Sequence, residues 1–522
     1  MKIALAQPEL RAGHPQFNTQ KITRFIYDAK REGATALVLP DNYITGMPPS
    51  EEELPAILRA DLDSCRQQIK EAAVGIELIT SSSELDPRKD FVIDNQARPF
   101  AFGNVEKSGG EKKSLLGRLI SARKPKIRVN SVGIDNRGKF ISVFDGRSTV
   151  FNAKGVPVLR AESFKEQLLY FEKEELDKMP EAIGYEESEA ERIYHALKYG
   201  VQRYLELIGM KKIVIGASGG IDSAVAAALY VDVLGAENVY LVNMPTHFNS
   251  LTTRGLSEQL AKNLGCQYMI VSIEDTIEAT VKQLESTTIK LQSDGSTSKL
   301  ELNSFVRENM QARDRSARVL AAIAASLNCG FTCNANKAEA TIGYATLYGD
   351  CAGLLAATAD LWKYQMYELA EYFNDEVYGR EVIPQGIIDI VPSAELSTAQ
   401  NVDEGKGDPV HYDYHDYLFR AFVESNRQPE ELLKWYADGK LEAEIGCEKG
   451  LTKKYFASDK EFVDDLERWW NQYRGIAAAK RMQTPPLIVV SGKPFSANET
   501  LCGAYYTRGY QLLKKILLGT TD

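Results

Sequence analysis

No stretch of this sequence approaches the about 18 consecutive apolar residues that a membrane-spanning helix needs, so no membrane partner is expected. The opening run, MKIALAQPEL, is too short for a secretory leader and has no small-residue cleavage site. Cysteine is sparse and odd in number: Cys65, Cys266, Cys329, Cys333, Cys351, Cys447 and Cys502, none of them in a CxxC pair. That pattern excludes a disulfide framework and predicts a reduced, cytoplasmic chain. Cys329 and Cys333 lack a His or further Cys at ligand spacing, so zinc is not expected. Positive charge is in deficit: 62 Lys and Arg face 72 Asp and Glu, for a net charge of −10. This argues against nucleic acid as a partner, while a local basic pocket for phosphates remains open. No segment recurs at a fixed period. A Walker A loop is also missing. GIDNRGKF (133–140) comes near it but has Phe140 where the Mg²⁺-binding Ser or Thr would stand, and it reads as a turn in a hairpin.

What is present is a long, ordinary globular chain. Its 522 residues, 44% of them hydrophobic, predict two or three domains. The first part reads β-α-β: KIALAQ as a strand, FNTQKITRFIYDAKREGA as a helix ending at Gly33, and ALVLP as a short buried strand. A helix over 51–74 and the strand GIELITSS follow. KFISVFDG and STVFNAKG are predicted to pair as a hairpin around the DGR turn. The acidic stretch 173–192 reads as a linker, dividing a domain over 1–172 from one over 193–522. In the second, strands KIVIGAS and ENVYLVNMPT alternate with helices to about 395, the pattern of a doubly wound parallel sheet in an α/β fold. LQSDGSTSKLEL (291–302) reads as a polar, mobile loop, and 400–522 as charged with little clear periodicity.

Residues 213–229, IVIGASGGIDSAVAAAL, carry the chemistry. An apolar strand runs into Ser-Gly-Gly and an alanine-rich helix runs out. Gly216, Gly219 and Gly220 let the backbone approach a ligand closely. Unpaired N–H groups at the helix start suit an anion such as pyrophosphate. Ser218 and Ser223 add hydroxyl donors. Asp222 makes sense beside a polyphosphate as a Mg²⁺ ligand. The plainer reading is a tight strand-to-helix turn with Ser and Asp as caps.

SGGIDS resembles the pyrophosphate loop of enzymes that cleave ATP to AMP and pyrophosphate, with the adenine nucleotide alpha hydrolase-like fold. Further segments are similar to one family among these, the NAD synthetases. They are VYLVNMPT, RENMQARDR (307–315), NKAEATIGYATLYGDCAG (336–353), ADLWKYQMYELA (359–370), IPQGIIDIVPSAEL (383–396) and AAKRMQTPP (478–486). The resemblance implies ATP-driven amidation of nicotinic acid adenine dinucleotide by way of an acyl-adenylate. It implies Asp222, Lys363 and Asp350 as catalytic residues. Gly216, Ser218, Gly219, Gly220, Ser223, Met244, Arg313 and Ser393 would bind ATP. Asp350, Lys480 and Arg481 would bind the dinucleotide, and Asp222 and Glu339 would hold Mg²⁺. The family also implies a homodimer or higher homo-oligomer. Asn334 departs from the family's threonine and Leu354 from its frequent acid, both at the dinucleotide end.

Many such synthetases carry an N-terminal nitrilase-type amidase that releases ammonia from glutamine. Residues 1–172 resemble a shortened form of it, through LVLPDNYITGMPP (37–49) at the opening and VNSVGIDNRGKFISVFDGRSTVFNAKG (129–155) at the close. The amidase needs a Glu base, a Lys at the oxyanion and a Cys nucleophile. Asp41 stands at the Glu position and Lys107 is a remnant of the Lys. The nucleophile's strand is missing, and Cys65 lies in a charged helix at the wrong place in the order. Glutaminase activity is therefore not expected, and free ammonia is the expected nitrogen source. Alternatives are ammonia from a separate glutaminase partner, a ligase acting on another carboxylate, or a retired binding subunit.

Overall fold

The computed structural model describes residues 1–46, 56–80, 91–101, 124–182, 187–495 and 503–520. Lys107 lies outside them. The chain forms two compact units, Met1–Tyr204 and Leu205–Asp522. The division falls inside the helix Glu189–Leu207, later than the expected linker at 173–192. A 3₁₀ turn at Lys173–Glu175 and the start of that helix fall within the acidic stretch.

In the first unit, β1 (Lys2–Gln7) lies between an antiparallel β10 (Gln167–Glu172) and a parallel β2 (Ala36–Val38), with β3 (Glu77–Ile79) beyond. Side chains alternate across a strand, so Ile3 and Leu5 leave one face of the sheet and Ala4 and Ala6 the other. The first face packs on a second sheet, ordered β4 (Val92–Asp94), β5 (Lys126–Arg128), β8 (Thr149–Phe151), β9 (Pro157–Arg160), through Ile93, Ile127, Val150 and Val158. The second face packs on the helices Pro15–Arg31 and Ala56–Ala72, through Ile22, Phe25, Ile26, Leu62, Cys65 and Ile69.

One predicted pairing is corrected here. β7 (Phe140–Asp145) pairs with β6 (Val132–Arg137), not with the STVFN strand, which is β8 of the other sheet. The two-residue turn is Gly138–Lys139, with Gly138 at φ +59. The DGR segment is a corner instead. Gly146 (φ +74) and Arg147 (φ +55) are both left-handed, and a Cβ on Gly146 would fall 2.3 Å from the Gln7 side chain. Gln7 fixes that corner by donating to the Glu162 and Lys165 carbonyls and accepting from Ser148 N–H.

The second unit is built on a parallel sheet ordered β13 (Gln267–Ile270), β12 (Val239–Asn243), β11 (Ile213–Gly216), β16 (Gly330–Phe331). Strand order reverses between β11 and β16, and in such sheets the crevice at the reversal receives ligands. The crossover helix Ile221–Leu234 is buried along most of its length, which its alanines permit. The expected loop at 291–302 is partly a hairpin, β14 (Thr288–Lys290) with β15 (Thr297–Lys299), exposed throughout. Gly295, at φ +74, helps turn the six-residue connection between them. Beyond residue 411 the chain is mainly helical around an aromatic core that includes Trp362, Tyr414, Phe419, Phe422, Trp469 and Trp470. Burial of large rings rather than regular aliphatic spacing made these helices hard to read. Among the described residues no helix is long and apolar enough to cross a membrane.

Candidate active site

β11 delivers the chain into Ser218-Gly219-Gly220, and the helix that follows has no side-chain cap on its first turn. Its leading N–H groups stay available to an anion. Gly219 sits at φ +87, and a Cβ there would lie 2.2 Å from the Thr253 carbonyl oxygen, so only glycine fits. Two hydroxyls brace the loop. Ser223 Oγ donates to the Gly220 carbonyl (3.0 Å) and lies 3.2 Å from Ser218 Oγ, which accepts from Gly220 N–H. Part of the serine pattern is thus explained by the turn itself, as the plainer reading anticipated.

This loop is one wall of a cavity of about 280 Å³ at the reversal of strand order. Gly216, Ser218, Gly219, Gly220, Asp222, Ser223, Met244, Glu339, Asp350, Lys363 and Ser393, all expected from the sequence, line it together. Three of them form its charged centre. Lys363 Nζ is 2.5 Å from Asp222 Oδ2 and 3.7 Å from Glu339 Oε1, with the Tyr412 ring 5.1 Å away. Burial by itself would lower the Lys363 ammonium, but Asp222 and Glu339 outweigh it and hold its pKa above the usual lysine range. Glu339 is pushed well up, by burial first and by the Asp222 charge second. Asn336 sets the spacing: its amide donates to Asp222 Oδ1 (3.1 Å), and its carbonyl oxygen caps the helix Lys337–Ile342 by accepting from Glu339 N–H (3.0 Å).

Asp350 lines the cavity with its side chain reaching solvent, accepts from Thr346 N–H at 2.7 Å, and has its pKa raised by desolvation. Lys480 is half-buried and donates to the Gly343 carbonyl, its pKa lowered by burial and drawn back by Cys351 and Asp350. Ser393 Oγ donates to the Gln400 carbonyl at 2.6 Å.

Three expected residues, Lys480, Arg313 and Arg481, are not part of the cavity lining. Arg313 is exposed, outside the cavity, with Nε on the Leu347 carbonyl. Arg481 is 1% exposed and its guanidinium donates to the Thr341 and Tyr473 carbonyls, so it braces helices away from the cavity wall. Arg315 takes the inward position instead. It lines the cavity and donates to the Met244 carbonyl at 3.1 Å, and burial lowers its pKa to about 10. The segment Asp314–Leu320 is π-helical, which rotates Arg315 relative to a regular helix. An ideal helical pattern could not have chosen between the two arginines. Glu395 and Asp408 also line the cavity unannounced. Glu395 (φ +46) accepts from Ser250 N–H and Thr253 Oγ, tying 393–396 to the helix behind the glycine loop. Asp408 accepts from Tyr344, Tyr412 and Ala394 N–H.

In the first unit, Asp41 is exposed and accepts a long 3.4 Å bond from Ala97 N–H. Cys65 is fully buried in the helix layer.

Asp222 and Glu339 suit a hard cation, since two carboxylates plus ligand phosphate oxygens are a usual Mg²⁺ environment. Among the described residues no set of three or more metal-ligating side chains exists, so any Mg²⁺ held here would need donors from its substrate.

Residues 193–444 match the sequence model of the NAD synthase family. The chain is 32% identical over 339 residues to a glutamine-dependent NAD(+) synthetase of Aquifex aeolicus, covering 59% of this chain and 56% of that protein. It is 33% identical over 363 residues to one of Synechocystis, covering 67% and 59%. The chain thus spans under two thirds of the length of these curated relatives. Among solved structures it resembles a glutamine-dependent NAD(+) synthetase of Cytophaga hutchinsonii (TM-score 0.71, 15% identity, 99% of both chains). It also resembles one of Acinetobacter baumannii in complex with ADP (TM-score 0.61, 22% identity, 96% and 97%). The comparisons thus give residues 193–444 a likeness to the NAD synthase family and the chain a fold like that of these synthetases.

Proposed function

We propose that this chain amidates the carboxylate of nicotinic acid adenine dinucleotide, forming NAD, AMP and pyrophosphate with free ammonia as nitrogen donor. The observation that carries the reading is the Lys363 ammonium held between Asp222 and Glu339 at the mouth of the glycine loop. A carboxylate is a poor electrophile because oxide would have to leave. Attack of the substrate oxygen on the ATP α-phosphorus forms the acyl-adenylate and releases pyrophosphate. Ammonia then adds to the acyl carbon, AMP leaves, and one proton is lost.

Each residue has a place in this scheme. The N–H groups of the loop and helix start hold the departing pyrophosphate, with Ser218 and Ser223 shaping the loop. Lys363 faces the charge that develops on the phosphates, in a site where water is largely excluded. Asp222 and Glu339 would hold Mg²⁺, which supplies Lewis-acid polarisation of the phosphates when bound. Arg315 and Met244 form the wall of the nucleotide end. Asp350, with its raised pKa, orients the incoming ammonia and accepts its proton. Lys480 flanks the dinucleotide.

The nitrogen source rests on the first unit. Cys65 is the only cysteine before Cys266, and it is sealed in a core. An amidase of this type acts through an accessible thiolate.

The test is turnover of the purified chain with ATP, Mg²⁺ and nicotinic acid adenine dinucleotide. NAD from ammonium but not from glutamine is expected. Turnover on glutamine alone would restore the amidase. No turnover on either would point to another carboxylate. Cell extract added with glutamine tests for a separate glutaminase, the second reading.

A further inference from the structure

Behind the cavity lies a charge that no step above uses. Lys337 is fully buried, and its Nζ meets four acceptors: Glu424 Oε1 at 2.8 Å, Ser491 Oγ at 2.9 Å, the Lys493 carbonyl at 3.0 Å and Asp360 Oδ1 at 3.0 Å. Asp360 is equally buried and accepts from Val490 N–H, Ser491 N–H and Ser491 Oγ. Glu424 also accepts from Trp362 Nε1 at 2.9 Å. None of these five side chains lines the cavity.

What the network joins is the point. Lys337 lies between Asn336, which holds Asp222, and Glu339. Asp360 lies just ahead of Trp362 and Lys363. The backbone repeats the link, because Lys337 N–H donates to the Leu361 carbonyl at 2.7 Å. The two short segments that carry Glu339 and Lys363 are therefore pinned to each other and to 490–493 by one buried ammonium. A well-packed apolar group could fill such a position at no loss of stability. An ion pair adds a fixed distance and direction.

We infer that Lys337 and Asp360 are positioning residues for the adenylation step, holding Glu339 and Lys363 in register with Asp222; this rests on the function proposed above. Misplacement of about 1 Å at a reacting centre costs about 10²-fold in rate. None of the Lys337 ammonium's bonds reaches Ser218–Gly220, the loop proposed above to bind ATP in the ground state. The effect should therefore appear in kcat and not in KM for ATP.

The experiment compares wild type, Lys337→Met, Lys363→Gln and the double variant, assayed with ammonium, ATP and the dinucleotide. The expected result is a kcat of Lys337→Met lowered about 10²-fold, with KM for ATP within about threefold. The double variant should lose far less than the product of the two single losses, because both act through the same ammonium. Unchanged kcat, parallel loss in kcat and ATP affinity, or losses that multiply would overturn the inference. If Lys337→Met fails to fold, Glu424→Gln decides, since Glu424 is partly exposed and the amide keeps the Trp362 bond. A kcat lowered about tenfold at unchanged KM is expected there, and an unchanged kcat overturns the inference. Wild type with no turnover overturns the functional reading and this inference with it, whereas an active wild type beside an unaffected variant overturns the inference alone.

Discussion

Two carboxylates sit just beyond strand ends in this chain, Asp222 after β11 and Asp41 after β2, and they have different surroundings. Asp222 meets a buried ammonium at 2.5 Å, an asparagine amide at 3.1 Å and a second carboxylate beyond. Asp41 is open to solvent, and its bond from Ala97 N–H is long. The sequence offers each as an acid after an apolar run. The difference lies in the neighbours: Asp222 has a partner that fixes its charge, a place in the cavity wall and a glycine loop beside it.

The sharpest way to break that contrast is to remove Asp222. Asp222→Ala strips Lys363 of its nearest counter-charge, and kcat/KM for ammonium-driven turnover should fall about 10²–10³-fold. A smaller loss would mean the triad of charges is structural. Gly219→Ala comes next. It forces a left-handed backbone on alanine and drives Cβ into the Thr253 carbonyl. Strain of about 1–3 kcal/mol should raise KM for ATP about tenfold or more, and an unchanged KM would show that the loop does not hold the nucleotide.

A third effect concerns the helix that presents Lys363. Asp416 accepts from Tyr364 N–H at 2.9 Å, its other oxygen has no hydrogen-bond partner among the described residues, and burial pushes its pKa up to about 7. The ordinary value is about 3.9, so the folded state binds this proton more tightly than the unfolded chain does. That contribution is complete below about pH 4 and is lost as pH rises through about 7. Asp416→Asn should flatten urea-unfolding stability over that window and leave the variant more stable at pH 8, by about 1–4 kcal/mol. A variant that keeps the wild-type slope would assign the titration to another group. The smallest effect belongs to Asp41→Ala, expected to leave ammonium-driven turnover unchanged. If it abolished glutamine-driven turnover while sparing ammonium, the first unit would be a working amidase.

Legibility followed the same contrast. The glycine loop, its strand and its helix were readable because a left-handed turn, an uncapped helix start and a small-residue helix each demand particular residues locally. Glu339 and Lys363 were readable only through resemblance, since an isolated Glu or Lys on a helix is usually a solvated charge. Arg313 and Arg315 could not be told apart, because the π-helical stretch that turns Arg315 inward depends on packing. The pairing of β7 was misassigned for a related reason. DGR and NRGK are both turn signals, and only contact with Gln7 makes the first a corner.

The sequence by itself determined the glycine-rich strand–turn–helix, the alternation that builds both units, and the presence of a single cysteine, Cys65, before Cys266. These follow from backbone geometry, side-chain periodicity and chemical inventory, which are local. Tertiary structure decided which charges meet. Asp222, Glu339 and Lys363 are far apart along the chain, and so are Lys337, Asp360, Glu424 and Ser491 behind them. Their distances depend on how two short segments cross at the reversal of the sheet, and side-chain spacing along the chain carries no record of that crossing.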